Sequence, residues 1–436
     1  MRHRNWLGNV YWEPSLYAQP STEAEVCALV QQAARAGKSV RLVGSGHSWS
    51  ALCATEDYCL NLDRLARVVH IDHARGLVTV EAGIRLKDLC TQLLAQGLAL
   101  INLGSILEQS IAGAVSTATH GSGITFGNLA TQVVAMRLVL ASGDVLVVGP
   151  DQNAELLPAV RVSLGALGIV TQVTLRVVPA FYLHEEREPR PFDEVLPQLS
   201  ALIPSADHFK LWWFPHAPVM QLYRQHRTQQ PAQLQAAQHR TPAFLREDSK
   251  LTQLIFQSLL RLGERFPQQL PRLQRILTSL AFRRRSQVGH SFQVFTLAMP
   301  PLHHESEYAV PVERAAEALL ALRTLIQERS HRVNFVTEIR FVARDDSWLS
   351  PSYEREVCYI GGYHAGDAAW PRFLKDYEAL MLQLGGRPHW GKEFTLSATQ
   401  LQALYPRWQD FCALRRKLDP AGTFLNPLLR RLFEPT

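Results

Sequence analysis

The sequence predicts a protein of the α+β or α/β class with two or three domains. Short apolar strands alternate with helical stretches over the first 180 residues. The pattern changes after residue 180, where aromatic residues become dense. The chain has 436 residues, of which 47% are apolar and 19% charged, and this composition suffices for more than one hydrophobic core.

The composition also excludes several classes of protein. Glycine and proline number 25 each, which excludes collagen-like and low-complexity chains. No apolar run reaches the roughly 18 residues of a membrane span, and no secretory signal is visible. The six cysteines form no CxxC pair or zinc spacing, so they are expected to be reduced thiols of a cytoplasmic protein without a metal site. The net charge of +6 and the short cluster Arg283–Arg285 do not indicate nucleic-acid binding.

The first 180 residues carry the clearest secondary-structure signals. Thr22–Glu25 fits a capping box, which predicts a helix that ends at Gly37. A second helix is predicted over Leu86–Ala95, ending at Gly97. The predicted strands are Val40–Val43, Tyr58–Leu62, Leu77–Ala82, Val133–Leu140, Val145–Val148 and Ile169–Val177.

Residues 180–395 form a plausible second domain. Aromatic residues crowd 209–216, and the stretch 224–288 is rich in Gln, Arg and Leu and predicts helical or loose structure. Beyond it the sequence predicts strands at Ser291–Leu297 and Val333–Val342, and helices at Glu313–Gln327 and Tyr405–Leu418, the last ending before Pro420.

The segment Leu251–Arg285 is amphipathic. Its apolar residues Leu251, Leu254, Ile255, Leu259 and Leu262 share one helical face, and basic residues crowd its far end. A core-packing helix pair explains this pattern, and so does contact with a membrane surface.

Two loops in the first region are suited to phosphate binding. Gly44-Ser-Gly46-His47-Ser48 follows a predicted strand, and its glycines allow backbone N–H groups to approach an anion closely. The run from Ser110 to Gly123 is almost uncharged and rich in small hydroxyl residues, which can press against a flat ligand. The alternative for the first loop is a tight turn, and the alternative for the second is a buried packing layer of small residues. Together the two loops favour a dinucleotide.

Two further elements concentrate charge in the second region. Lys392 follows the aromatic and small residues His389-Trp-Gly. Glu338 and Arg340 are two apart in a predicted strand and therefore share one face, where they can project into a cavity. The alternative for Lys392 is a lysine that faces solvent, and the alternative for Glu338 and Arg340 is an ion pair on the surface.

In this order the elements closely resemble the aldonolactone oxidoreductases (the L-gulono-1,4-lactone and D-arabinono-1,4-lactone oxidases), which are PCMH-type FAD flavoproteins of the vanillyl-alcohol-oxidase group. The resemblance covers nearly the whole chain. Six parts of the sequence carry it: residues 44–48, residues 110–123, Leu211-Trp-Trp-Phe-Pro-His216, Glu338–Arg340 with Leu349-Ser-Pro351, residues 389–392 and the closing residues 418–426.

The resemblance implies a two-domain α+β fold. A PCMH-type FAD-binding domain would span residues 1–179, an α+β substrate-capping domain 180–395, and a C-terminal segment returning to the FAD domain 396–436. FAD would be attached covalently to His47. The other implied cofactor-binding residues are Leu42, Val43, Gly44, Ser45, Gly46, Ser48, Ser105, Ser110, Gly113, Thr117, Ala118, Thr119, His120 and Ile169.

The resemblance also implies the catalytic residues Arg340, Lys392 and Glu338. Arg340 and Lys392 would contact the substrate hydroxyl that is oxidised, and Glu338 would orient the sugar hydroxyls. Ser105 and Tyr363 complete the implied substrate site. His120 is expected to be a packing or backbone-contact position.

The implied reaction is FAD-dependent oxidation of an aldono-1,4-lactone, with O₂ as the acceptor and H₂O₂ as the product. Gly104 would leave room for O₂ to reach the flavin. Glu305 stands where alditol oxidases carry glutamine, which favours a lactone over an open-chain polyol. Alditol oxidation, a dehydrogenase, and a flavin protein that needs a membrane or protein partner are the alternatives.

Overall fold

The structure, a computed structural model, describes residues 2–229 and 250–434. These residues form an α+β fold, which confirms the predicted class. An antiparallel five-stranded sheet has the spatial order Val145–Val148, Val133–Val139, Ile169–Arg176, Leu77–Glu81 and Val68–Asp72. A parallel three-stranded sheet has the order Leu16–Ala18, Tyr58–Asn61 and Val40–Val43. The small two-stranded pairs are His3–Arg4 with Tyr11–Trp12, and Leu98–Ala99 with Val178–Pro179.

Residues 182–388 contribute an antiparallel eight-stranded sheet, called here the large sheet. Its strands, in spatial order, are Arg285–His290, Tyr182–Pro191, Val219–Thr228, His208–Trp213, Thr337–Val342, Val357–His364, His304–Pro311 and Arg387–Pro388.

Helices cover the sheets and connect their strands. The α-helices are Glu23–Arg35, Leu86–Ala95, Ile111–Ser116, Leu157–Arg161, Phe192–Val195, Leu199–Leu202, Lys250–Arg265, Leu270–Ala281, Ser291–Phe295, Ala315–Glu328, Trp370–Gln383, Ala398–Leu404, Trp408–Leu418 and Pro427–Phe433.

Most predicted elements of the first region occur as expected. The strands Val40–Val43 and Val145–Val148 and the helix Leu86–Ala95 match at both ends. Thr22 caps the first helix by accepting a hydrogen bond from the backbone N–H of Glu25. The reciprocal half of the capping box is displaced by one residue, because the Glu25 carboxylate accepts from the backbone N–H of Ser21.

The predicted strand over Ser291–Leu297 is wrong. Ser291–Phe295 is a short helix that follows the strand Arg285–His290. Val294 and Phe295 are both buried, and a strand would point such neighbours to opposite faces. Strands also occupy both ends of the stretch 224–288, and residues 230–249 of that stretch lie outside the described residues.

The amphipathic segment is a pair of helices, Lys250–Arg265 and Leu270–Ala281, called here the helical hairpin. Leu260 packs with Phe335 and Tyr363, whereas Leu254 and Leu262 are exposed. Of the predicted apolar face, two leucines are therefore exposed and Leu259 is half-buried. The side chains of Leu251 and Ile255 lie outside the described residues. Over the described ranges, no helix is both long and apolar enough to span a bilayer.

The last part of the chain packs against the first sheet-forming strands. The backbone N–H of Val40 donates to the carbonyl of Thr423 at 2.7 Å. The Asn426 amide donates to the carbonyls of Ala51 and Ala54 at 2.7 and 2.8 Å. Residues 423–426 thus lie beside the strand Val40–Val43. The division into domains at residues 179 and 395 stays a prediction.

Candidate active site

The loop Gly44–Ser48 lies against the start of the helix Ile111–Ser116. A Cβ atom on Gly44 would lie 2.2 Å from Ser110 Oγ, so any side chain here would displace the Ser110 hydroxyl. Gly46 has a φ of +66°, a backbone conformation that glycine adopts most readily. The two predicted phosphate-binding loops are therefore in direct contact.

His47 lies at the end of this loop with a neutral imidazole. Its Nδ1 atom is buried and makes no hydrogen bond with any described residue. Burial lowers the pKa of His47 to about 4, and the nearby Lys392 and Arg85 cations act in the same direction. The structure thus holds a neutral imidazole whose Nδ1 atom has no hydrogen-bond partner among the described residues.

A cavity of about 110 Å³, called here the inner cavity, opens between the two loops. Its walls carry no acidic side chain. Ten predicted cofactor-binding residues line it: Leu42, Gly44, Ser45, Gly46, His47, Ser48, Ser110, Gly113, Thr117 and Ile169.

A larger cavity of about 380 Å³, called here the outer cavity, extends from Gln109, which lines both, toward the helical hairpin. The predicted residues that line it are Gly104, Ser105, Thr119, His120, Glu338, Arg340, Tyr363 and Lys392. Val43 and Ala118 line neither cavity. Both are buried, Val43 beside Trp12 and Ala118 in the main core.

Glu338 and Arg340 lie on the strand Thr337–Val342 and point the same way, as their spacing predicts. The Glu338 Oε1 atom is 2.8 Å from Arg340 Nη2. The neighbouring strand His208–Trp213 is in a register that sets Lys210 opposite Arg340 and Trp212 opposite Glu338. Trp212 Nε1 donates to Glu338 Oε1 at 3.0 Å, and Lys210 Nζ is 3.4 Å from the same oxygen.

The two cations determine the charge state of Glu338. Burial alone would raise the pKa of this carboxyl, but Arg340 and Lys210 outweigh burial and hold it well below its usual range. Arg340 also donates to Ser105 Oγ and, at 3.2 Å, to the carbonyl of His120. Arg340 therefore joins the large sheet to Ser105 and His120, which also line the outer cavity.

Lys392 forms a second ion pair in the outer cavity. Its Nζ atom is 2.5 Å from Glu305 Oε2 and 3.9 Å from the centre of the Trp49 ring. Burial opposes ionisation of Glu305, yet Lys392 and His303 outweigh it and lower the pKa of this carboxyl. The ammonium is thus fixed in place rather than facing solvent.

Tyr363 pairs with Glu305 across neighbouring strands. Its ring covers Gly361, where a Cβ atom would lie 2.0 Å from the ring. Burial, reinforced by Glu305, Glu307 and Glu338, raises the pKa of Tyr363 well above its ordinary value, so the phenol is a hydrogen-bond donor at neutral pH.

His120 is buried in contact with protein groups on several sides. Its ring stacks on Tyr359 with centroids 3.6 Å apart, Nδ1 is 3.0 Å from the carbonyl of Gly121, and Nε2 is 3.4 Å from Glu307. His120, Glu307 and His389 bring three possible ligand atoms within 4.8 Å of one another. The packing role predicted for His120, and the expectation that no metal binds, stay predictions.

Sequence reasoning missed several residues that the structure brings to these cavities. Lys210 and Trp212 alternate along their strand as Glu338 and Arg340 do, and this spacing was the available signal. Two other residues were missed: Trp49, which contacts Lys392, and Arg41, which lines the inner cavity. No sequence pattern around either residue indicates this position.

Two family models match the chain. The model for D-arabinono-1,4-lactone oxidase matches residues 173–432, and that for an FAD binding domain matches residues 14–149.

Similar proteins of known name span almost the same length. The L-gulono-1,4-lactone dehydrogenase of Mycobacterium tuberculosis is 38% identical over 99% of both chains. The L-gulonolactone oxidase of Scyliorhinus torazame is 34% identical over 98% of this chain and 97% of its own. The D-arabinono-1,4-lactone oxidase of Yarrowia lipolytica is 30% identical over 97% of this chain and 95% of its own.

The fold has solved counterparts. The cholesterol oxidase of B. sterolicum superposes with a TM-score of 0.80 over 99% of this chain and 96% of its own, at 14% identity. A solvent-stable cholesterol oxidase superposes with a TM-score of 0.76 over 99% of this chain and 97% of its own, at 19% identity. At this identity the likeness extends to the fold alone.

Proposed function

Because the chain belongs to the D-arabinono-1,4-lactone oxidase family of FAD-binding oxidoreductases, we propose that it oxidises a CH–OH group of an aldono-1,4-lactone. The observation that carries this proposal is the outer cavity, where two carboxylate–cation pairs, Glu338–Arg340 and Glu305–Lys392, line one space. A lactone with several hydroxyl groups requires such paired donors and acceptors.

The residues around the inner cavity fit FAD. Gly44 leaves the space that a Cβ would fill, and the walls offer small side chains, hydroxyls and backbone N–H groups but no carboxylate. The buried, unpartnered Nδ1 of His47 supports covalent attachment of the flavin at this residue. A flavin held there would supply the chemistry of accepting a hydride from the substrate carbon.

The chain's own residues orient the substrate and stabilise its charge. Arg340 and Lys392 hydrogen-bond the oxygen of the hydroxyl that is oxidised, and their positive charges stabilise the negative charge that develops on it. Glu338 stays ionised and accepts hydrogen bonds from other sugar hydroxyls. Ser105 and Tyr363 add polar contacts at the same end of the cavity.

Oxygen as electron acceptor is supported by Gly104. A Cβ at this position would lie 3.1 Å from Thr119 Cγ2 and 3.3 Å from the carbonyl of His120, so glycine keeps open a space at the wall of the outer cavity. The name of the M. tuberculosis relative favours a dehydrogenase instead. A peroxide-coupled assay decides: turnover that requires an artificial acceptor would reject the oxidase.

The substrate is tested by anaerobic flavin bleaching with a panel of compounds. We expect gulono-, galactono- or arabinono-1,4-lactone to bleach the flavin faster than xylitol or sorbitol. Faster bleaching by a polyol would favour an alditol oxidase. Failure of every lactone to bleach the flavin would reject the proposal.

Contact with a membrane surface is a second proposal for the helical hairpin. Leu254, Phe266, Ile276 and Leu280 are 52–59% exposed, and Arg283 and Arg284 follow directly. Apolar side chains beside arginines suit the surface of an anionic bilayer. Co-sedimentation with anionic liposomes at low salt tests this, with an Ile276→Ser/Leu280→Ser variant as the control. No binding by the unaltered protein would reject it.

A further inference from the structure

Arg41 lies beneath the loop Gly44–Ser48, on the strand that leads into it. Its side chain is buried, with 4% exposure. The guanidinium donates four hydrogen bonds of 2.7–3.0 Å, to the carbonyls of Leu52, Leu164, Gly165 and Phe424. These carbonyls belong to three segments that are far apart in the sequence.

Within residues 2–229 and 250–434, no carboxylate forms an ion pair with Arg41. Burial lowers the pKa of this guanidinium to about 10, so it remains charged at neutral pH. Carbonyl dipoles satisfy its N–H groups but carry no net charge. A buried cation without a counter-charge is costly, because its hydration has been lost and no anion replaces it.

The same side chain forms part of the wall of the inner cavity. The other walls come from the loop Gly44–Ser48, residues 109–117 and residues 164–170, and none of the lining residues is acidic. One permanent positive charge therefore belongs to the wall of a small cavity whose other lining residues include four serines and one threonine. This arrangement is suited to an anion with several oxygens.

We infer that Arg41 supplies the counter-charge for the diphosphate of FAD. The inference rests on the proposed cofactor site and assigns a role to a residue outside the predicted phosphate-binding segment. The bound diphosphate neutralises Arg41, and Arg41 holds Phe424 and the turn at Leu164–Gly165 through its carbonyl bonds. Cofactor binding therefore stabilises the docking of the C-terminal residues on the strand Val40–Val43.

Arg387 provides a matched control in the same chain. It is also buried, with 6% exposure, and donates to the carbonyls of Pro351, Tyr353 and Leu404. It lines neither cavity. If Arg41 serves only to bond carbonyl groups, replacing it should change ligand affinity and the unfolding midpoint in the same way as replacing Arg387.

The test uses the full-length chain with His47→Ala, so that unattached flavin can be removed. Calorimetric titration measures the Kd for ADP, which carries a diphosphate, and for adenosine, which carries none. The thermal unfolding midpoint is recorded with and without ADP. Both measurements are made on this parent chain and after adding Arg41→Met, Arg41→Lys or Arg387→Met.

We expect Arg41→Met to weaken ADP binding at least tenfold and to change adenosine binding less than twofold. Arg387→Met should lower the midpoint while both Kd values stay within twofold. At equal concentration, ADP should raise the midpoint of Arg41→Met less than that of the parent or of Arg387→Met. An ADP Kd within twofold of the parent in Arg41→Met, or an equal loss for adenosine, would overturn the inference.

Arg41→Lys keeps the experiment decisive if Arg41→Met does not fold. Lysine retains the charge but cannot reproduce four carbonyl bonds. For Arg41→Lys we expect a lower thermal unfolding midpoint than for the parent, but an ADP Kd within about threefold of the parent's. A tenfold loss of ADP affinity would contradict the inference. Bleaching of the flavin in the unaltered enzyme by lactone tests the proposed function separately, so the two can fail independently.

Discussion

The inner and outer cavities adjoin each other but are built by different means. The inner cavity is walled by loops of small, mostly uncharged residues, whose backbone and close contacts define its shape. The outer cavity is walled by strands of the large sheet, and four charged side chains hold one another in place there. We therefore expect the first to select its ligand mainly by shape and the second mainly by paired charges.

This difference has a consequence for substitutions. In the inner cavity, a single added carbon atom should matter more than a change of charge at most positions, Arg41 being the exception. In the outer cavity, loss of one charge leaves its partner buried and uncompensated. Four predictions test this contrast.

The largest effect is expected from Lys392→Met. Removing a cation that stabilises the developing alkoxide should lower kcat by about 10²–10³-fold. The flavin absorption spectrum should be retained, because the substitution leaves the inner cavity intact. The control is Lys375→Met, at an exposed lysine. Full turnover by Lys392→Met would show that this ammonium does not act on the substrate.

His47→Ala should abolish attachment of the flavin without closing the cavity. Acid precipitation should then release all the yellow colour into the supernatant, whereas the unaltered protein should keep it in the pellet. His70→Ala, at an exposed histidine, serves as the matched control. Flavin that stays with the precipitated His47→Ala protein would place the linkage elsewhere.

Glu338→Gln should destabilise the fold by about 3–5 kcal/mol at neutral pH, because Arg340 and Lys210 lose their shared counter-charge. The folded state lowers the pKa of Glu338, so its ionised form stabilises the fold above about pH 4.5, and this contribution is lost as the pH falls. Urea unfolding should therefore show a gap between the two proteins that narrows below about pH 4.5. A gap that does not change with pH would assign the loss to packing.

The smallest effect is expected from Gly104→Ala. The added methyl group meets Thr119 Cγ2 at 3.1 Å, a contact that small shifts can relieve at a cost of about 1 kcal/mol. Turnover with O₂ should fall, while anaerobic reduction by lactone should change less than about twofold. An equal loss in both half-reactions would show that the methyl group disturbs the lactone instead of the path of oxygen.

The contrast also explains what the sequence could predict. Loops such as Gly44–Ser48 act through local spacing, so the two loops together favour a dinucleotide from the sequence. Glu338 and Arg340 share a face by strand alternation, and the structure shows their contact. Lys210 was missed because its place depends on strand register across 128 residues of sequence.

Two other misses have physical causes of the same kind. Arg41 contacts carbonyls 11, 123, 124 and 383 residues away, so no local pattern reveals it. Ser291–Phe295 is too short for its apolar spacing to separate a helix from a strand. Contacts between residues this far apart in the sequence, such as those of Arg41, are set by the folded chain and have no local pattern.

The bond between Arg41 and Phe424 has a consequence for synthesis of the protein. The two residues are 383 positions apart, so the ribosome makes the strand Val40–Val43 long before its partners at 423–426 emerge. We expect nascent chains that stop before residue 423 to leave the ribosome without flavin, however complete their first 180 residues are. Maturation into a yellow protein would then be a late, post-translational event.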